Sequence, residues 1–318
     1  MVRVTLSVSP TIQTPELARK AVREAADRIR PHARRTPIMT VELDGRPLVL
    51  KLEYLQRTGS FKLRGALNAM LSGERPGRVV TASGGNHGLG VAMAARLAGL
   101  PADVYVPETV PAGKARRIEA LGARLVRLGP SYADAAEGAA RAAVETGARY
   151  VPAFDDPAVV AGQGTVALEV VEDAPEVDVI AVAAGGGGLA AGTVSAAAPD
   201  RRTVAVEPTG CCSVYRAVQA GGPVDAEVDS VAASGLGASR VGTVPFAVLS
   251  ELGRAGALSC ELVRDEQILA ARDRLWEEFR IAVEPAAATP FAAWEAGLVP
   301  GELPAVVLCG ANTDWTPA

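Results

Sequence analysis

Lysine is scarce in this chain. Lys20, Lys51, Lys62 and Lys114 are the full set, and one of them stands apart. Lys20, Lys51 and Lys114 sit among polar or solvent-facing neighbours. Lys62 follows a turn signal, Thr58-Gly59-Ser60, and opens an apolar stretch from Leu63 to Leu71. Ser60 is placed to cap a helix, which puts Lys62 in the first turn. The positive end of the helix dipole and partial burial both disfavour the ammonium form. Such a lysine is a nucleophilic amine rather than a solvated surface cation.

Three further stretches carry chemistry, each directly after an apolar strand pattern. Gly185-Gly186-Gly187-Gly188, followed by Leu189, lets backbone approach a ligand and turns several N–H groups inward at a helix start. A phosphate is its natural guest, although a packing turn would look similar. The loop is neither GxGxxG nor GxxxxGK[ST], which disfavours a nicotinamide dinucleotide or ATP. Ser83-Gly84-Gly85-Asn86-His87-Gly88 offers N–H groups, a hydroxyl, an amide and an imidazole, and suits a smaller anion such as a carboxylate. Asn86 can donate to a phenolate-like oxygen, and His87 is either part of this cup or a satisfied interior histidine. With His32 the only other histidine, no histidine metal cluster or Ser-His-Asp triad can be assembled. Cys309 ends the last apolar strand and either faces a heterocyclic nitrogen or packs as a small hydrophobe. A reactive lysine, a phosphate cup and a carboxylate cup together describe pyridoxal phosphate holding an amino acid.

The elements that must position these groups alternate. A helix over residues 14–30 is capped by Thr14, with Pro15 at its start and Leu17, Ala21, Ala25 and Ile29 on one face. Pro47 to Leu52 reads as a strand. From Val79 to Pro152 strands and helices follow one another in units of about 25 residues, and a second series runs from Ala161 to Cys309. Residues 221–250 read as surface loop. The pattern predicts an α/β protein with two open, twisted, parallel-sheet domains, and it gathers the three loops at the carboxyl edges of strands.

Composition narrows the partners. The chain has 318 residues, 49% of them hydrophobic and 21% charged, with a net charge of -4, which is ordinary for a soluble two-domain protein. No basic stripe is present, so nucleic acid is excluded as an expected partner. No apolar run reaches the 18 or so residues of a membrane helix. Neither a leader core nor a disulfide spacing is seen among Cys211, Cys212, Cys260 and Cys309, so a reduced, cytoplasmic protein is expected.

Taken in order, Arg35-Thr36-Pro37, Ser60-Phe61-Lys62-Leu63-Arg64-Gly65-Ala66, Ser83 to Gly88, Phe154-Asp155-Asp156-Pro157, Ala161-Gly162-Gln163-Gly164-Thr165, the tetraglycine loop, Val206-Glu207-Pro208, Glu284-Pro285-Ala286 and Cys309-Gly310 closely resemble the fold-type II pyridoxal-phosphate enzymes. The branch is that of the serine/threonine dehydratases and serine racemases, and the resemblance runs almost end to end. It implies a tryptophan synthase β-like fold, with a large domain from residues 1–66 and 150–318. A small, mobile domain from 67–149 would close over substrate.

The resemblance also implies roles. Lys62 would hold the cofactor as a Schiff base and remove the substrate α-proton. Phe61 would pack beside the ring, Asn86 would meet its hydroxyl, and Cys309 its nitrogen. Gly185, Gly186, Gly187, Gly188 and Leu189 would bind the phosphate. Ser83, Gly84, Gly85, Asn86 and His87 would hold the substrate carboxylate. A cation site would use the Glu207 side chain, the backbone carbonyl of Cys211 and position 213, but Ser213 stands where relatives carry Asp. The implied reaction is β-elimination from L-threonine, L-serine or a related β-hydroxy amino acid, giving a 2-oxo acid and ammonia. Alternatives are β-replacement, racemisation, or binding of a phosphate ligand without catalysis. Racemases of this branch use a serine at position 84, and Gly84 has no proton to give. Ala233-Ser234-Gly235 replaces the usual Ala-Asp-Gly, and Ala287 and Ala311 stand where Gly is common. A homodimer is expected, as is freedom from isoleucine feedback, because no regulatory domain follows residue 318.

Overall fold

The computed structural model describes residues 14–253 and 256–316. The N-terminal segment read as lacking a leader core lies mostly outside these. The chain runs α1 Pro15–Ile29, β1 Ile38–Leu43, β2 Arg46–Lys51, α2 Lys62–Leu71, β3 Val79–Ala82, α3 Asn86–Ala98, β4 Ala102–Val106, α4 Ala112–Glu119, β5 Arg124–Arg127, α5 Tyr132–Thr146 and β6 Arg149–Tyr150. It continues as α6 Pro157–Asp173, β7 Val179–Ala183, α7 Gly188–Ala197, β8 Arg202–Pro208, α8 Ser213–Ala220, α9 Ala233–Leu236, α10 Thr243–Gly253, β9 Leu258–Val263, α11 Asp265–Phe279, α12 Pro285–Glu295 and β10 Pro304–Val307.

Two sheets organise it. The four-stranded sheet has the order β5-β4-β3-β6 and is parallel throughout. The six-stranded sheet has the order β1-β2-β10-β7-β8-β9 and is parallel except for β1. The last strand, β10, therefore lies in the interior, between β2 and β7. Both sheets are covered by helices, as parallel strands buried on two faces require, and each centres its own apolar cluster. Leu63, Ala66 and Leu67 of α2 join the cluster of the four-stranded sheet. The same helix crosses α6 so closely that a Cβ on Gly162 would lie 2.7 Å from the Arg64 carbonyl oxygen.

Several expectations need correction. The buried face of α1 is Ala18, Val22, Ala25 and Ile29, while Leu17 is 53% exposed, so Ala25 and Ile29 lie inward as expected and the first half of the face is displaced by one position. Its Thr14 cap does accept from the Leu17 N–H. The strand over residues 47–52 is half of a hairpin. Asp44 and Gly45 turn it with φ of 54° and 69°, as a two-residue Asp-Gly hairpin turn requires. The 221–250 stretch contains α9 and α10, and β9 follows it.

Lys51 is fully buried rather than solvent-facing. Its ammonium donates to Glu169 and to the Thr36 carbonyl, each at 2.6 Å. Arg64, also buried, donates to both Glu53 and Glu169. Two cations thus meet two carboxylates in the interior. Desolvation is offset by full hydrogen bonding, and the start of α2 is fixed to β2 and α6.

Candidate active site

Lys62 is the first residue of α2, and its helix is capped by Phe61 without a side-chain hydrogen bond. Ser60 is not the cap. Its hydroxyl is buried without a protein partner, and its backbone pairs with Gly310 in an isolated bridge. What orders the helix start is long-range. The Phe61 N–H donates to the Cys309 carbonyl, and the Gly65 N–H donates to the Gln163 side chain. The Lys62 Nζ donates to the Ala153 carbonyl at 2.9 Å and lies 5.1 Å from the Phe61 ring centre. Burial lowers its pKa from 10.5 to about 8, against the opposing pull of the Glu284 carboxylate. The amine is therefore a much better nucleophile near neutral pH than an ordinary lysine.

The tetraglycine stretch links β7 to the N-terminus of α7. Gly185 and Gly187 have φ of 56° and 90°, a region that strains any residue with a Cβ. A Cβ on Gly186 would sit 2.3 Å from the Phe154 ring, and one on Gly187 would be 2.8 Å from Pro245. The loop is thus bare because its surroundings leave no room. It is held from behind by the Ser213 hydroxyl, which donates to the Gly185 carbonyl, and by the Gly242 N–H, which donates to that of Gly186.

Ser83 follows β3, and its hydroxyl accepts from the Gly85 N–H at 3.2 Å. The His87 imidazole turns inward, with Nε2 2.9 Å from the Val151 carbonyl. Burial, then the charge of Lys62, lowers its pKa to about 3. It is a neutral N–H donor to the backbone, so His87 offers the loop a backbone N–H rather than a side chain. Asn86 opens α3. Its Nδ2 donates to Glu284 and its Oδ1 accepts from Asn312, both at 2.7 Å. Burial raises the Glu284 pKa. Gly310 makes room for that carboxylate, since a Cβ there would lie 2.3 Å from it. The Cys309 thiol is pushed well above its ordinary range by burial and stays protonated. Glu284 and Asn312 do not stand out as polar site residues in the sequence. The only available signal is their place in Glu284-Pro285-Ala286 and just beyond Cys309-Gly310.

Most of these groups line one cavity of about 460 Å³, while Gly185, Gly187 and Asn312 stand behind its wall. Its wall includes Phe61, Lys62, Ser83 to His87, Gly186, Gly188, Leu189, Glu284 and Cys309, with Tyr132, Ser234, Ser239 and Arg240 also contributing. The expected cation ligands look elsewhere. Glu207 accepts from the N–H groups of Val214 and Tyr215 at 3.2 and 2.8 Å, and Ser213 is committed to Gly185. Burial raises Glu207 to about 7 and Cys211 to about 11. Among the described residues no group of three His, Cys, Asp or Glu side chains could hold a metal ion.

The donor set fits pyridoxal phosphate. It offers a desolvated primary amine, a side-chain-free cup at a helix N-terminus and a neutral thiol, all on one cavity. Comparison with known proteins agrees. The family described as pyridoxal-phosphate dependent enzyme matches residues 29–310, and the chain belongs to it. An L-threonine ammonia-lyase of Geobacter sulfurreducens is 39% identical over 282 residues, 86% of this chain and 69% of that protein. A beta-hydroxyaspartate dehydratase of Paracoccus denitrificans is 34% identical over 303 residues, 91% of this chain and 94% of that one. The solved structure of maize serine racemase superposes with a TM-score of 0.85 at 31% identity, covering 93% of this chain and 94% of that one. The fold is the type II pyridoxal-phosphate fold, and no helix among the described residues is long and apolar enough to cross a membrane.

Proposed function

We propose that this protein is a lyase that removes the β-hydroxyl and α-amino groups of L-threonine, L-serine or a related β-hydroxy amino acid, giving a 2-oxo acid and ammonia. The observation that carries the reading is the disposition about Lys62. It is a low-pKa amine beside a phosphate-sized glycine cup, with a neutral thiol at Cys309 and no proton-bearing side chain at position 84. Pyridoxal phosphate, when bound, supplies an aldehyde for the amino group and an electron sink for the α-carbon.

The chain supplies the rest. Gly185, Gly186 and Gly188, with Leu189, would hold the phosphate through backbone N–H groups, the Gly187 N–H being turned back to the Ala184 carbonyl, and Phe61 would pack beside the ring. Asn86 would donate to the ring oxygen, and the neutral thiol of Cys309 would meet the ring nitrogen without protonating it, which favours elimination. The backbone of Ser83 to His87 takes the substrate carboxylate. Lys62 moves the α-proton. Gly84 has no proton to give at the position where racemases of the branch carry a serine, which favours lyase over racemase chemistry. The relatives leave the substrate side chain open. Ser234, Ser239 and Arg240 on the cavity wall carry no negative charge, which leaves an acidic β-hydroxy amino acid as a candidate beside threonine.

Product analysis tests this. The holoenzyme is supplied in turn with L-threonine, L-serine and β-hydroxyaspartate, and 2-oxo acid, ammonia and D-amino acid are measured. Stoichiometric oxo acid and ammonia support the reading. A D-amino acid as the main product, or a new β-substituted amino acid, would replace it with racemisation or β-replacement.

A further inference from the structure

Asn86 can present either end of its amide to the cavity. Its Nδ2 donates to the Glu284 carboxyl, but burial draws that group toward the protonated form, which can also donate, so this contact does not fix the amide by itself. The neighbours of Asn312 do. The Asn312 Oδ1 accepts from the guanidinium of Arg117, on α4. The Asn312 Nδ2 donates to the Thr58 carbonyl and to the Asn86 Oδ1, both at 2.7 Å. A guanidinium can only donate and a carbonyl can only accept. Asn312 is therefore pinned in one orientation from both ends. Its second N–H then requires the Asn86 Oδ1, so the Asn86 Nδ2 must face the other way. There it donates one N–H to Glu284, and its second N–H has no other protein acceptor among the hydrogen bonds of this residue, which lines the cavity. Gly59 leaves room for the Asn312 amide, since a Cβ there would lie 3.1 Å from Oδ1.

We propose that Arg117 and Asn312 are positioning residues, a hydrogen-bond relay that sets the orientation of the Asn86 amide and so makes it a donor to the cofactor's ring oxygen. The inference rests on the placement of Asn86 given above. Arg117 and Asn86 belong to helices beside the four-stranded sheet. Asn312 follows β10 of the six-stranded sheet, and Thr58 precedes α2. The relay therefore joins both halves of the molecule at the ring, and their separation would release the amide.

The test uses the reconstituted holoenzyme and reads the absorbance of the bound cofactor and its dissociation constant, with activity secondary. Arg117 is exposed, so its variants should fold. Arg117→Lys keeps a pure donor and should match wild type. Arg117→Glu offers only an acceptor and should turn the Asn312 amide over. Asn312→Asp keeps the size and the Arg117 contact but cannot donate to Asn86. Both Arg117→Glu and Asn312→Asp should shift intensity out of the band at about 410–420 nm and weaken cofactor binding roughly fivefold to tenfold, with unchanged melting temperature for Arg117→Glu. Asn86→Ala serves as reference. If it alters band and affinity while Arg117→Glu and Asn312→Asp do not, the relay is wrong. If Asn86→Ala alters neither, the placement of Asn86 at the ring fails, and the relay with it.

Discussion

The lowered pKa of Lys62 makes a quantitative prediction about cofactor capture. Only the neutral amine attacks an aldehyde, so the rate should rise with pH in proportion to the unprotonated fraction. An ordinary lysine at 10.5 is neutral in roughly one molecule in 3,000 at pH 7. With burial lowering the value to about 8, the fraction becomes roughly one in ten, an advantage of about 300-fold. Protein stripped of cofactor, mixed with pyridoxal phosphate across pH 6 to 10 and followed by absorbance, should show a capture rate that climbs through a midpoint near 8 and then levels. The sign of the neighbours adds a second arm. Glu284 pulls the amine's pKa upward, so Glu284→Gln should move the midpoint lower. A midpoint above 10 in the wild type would refute the reasoning, because the cavity would then not desolvate the amine. A midpoint that rises in Glu284→Gln would refute the assigned role of that carboxylate.

Three other outcomes follow from the geometry. Gly186→Ala places a methyl 2.3 Å from the Phe154 ring and should weaken pyridoxal phosphate binding by roughly tenfold or more, measured by fluorescence titration. Glu169→Gln removes a negative charge from Lys51 and Arg64 in the interior and should cost about 3–5 kcal/mol in urea unfolding. Glu207 is raised in the fold from 4.5 to about 7, so the folded protein binds a proton that the unfolded chain does not between those values. Its contribution to stability is absent above pH 7 and is gained as pH falls toward 4.5. The stability of wild type relative to Glu207→Gln should therefore grow across that window, by melting temperature against pH.

Much of the site was legible because its parts are local. Lys62 at a helix start, four consecutive glycines after an apolar strand and Cys309 at a strand end are each visible within ten residues, and parallel-sheet topology brings such loops together. What escaped depends on distant partners. Lys51 looks solvent-facing until Glu169, 118 residues away, neutralises it. Ser60 looks like a cap, but the N–H groups near the α2 start are taken by Cys309 and Gln163 instead. The orientation of Asn86 is set by Asn312 and Arg117, and neither residue type signals that role by itself. The Asp44-Gly45 hairpin was locally readable, and its first strand was missed because Ile38–Leu43 is mostly half-buried, with only Leu43 fully inside. The one-residue displacement in the first half of α1 shows how weakly an alanine-rich helix marks its inner face, since Leu17 and Ala18 are equally plausible there until packing decides.

The central claim is that Lys62 holds the cofactor and moves the substrate α-proton. The most direct test compares wild type with Lys62→Ala after reconstitution with pyridoxal phosphate. Wild type should show the Schiff-base band at about 410–420 nm and release 2-oxo acid and ammonia from a β-hydroxy amino acid, and the variant should show neither. A variant that retained both the band and the oxo acid would contradict the account.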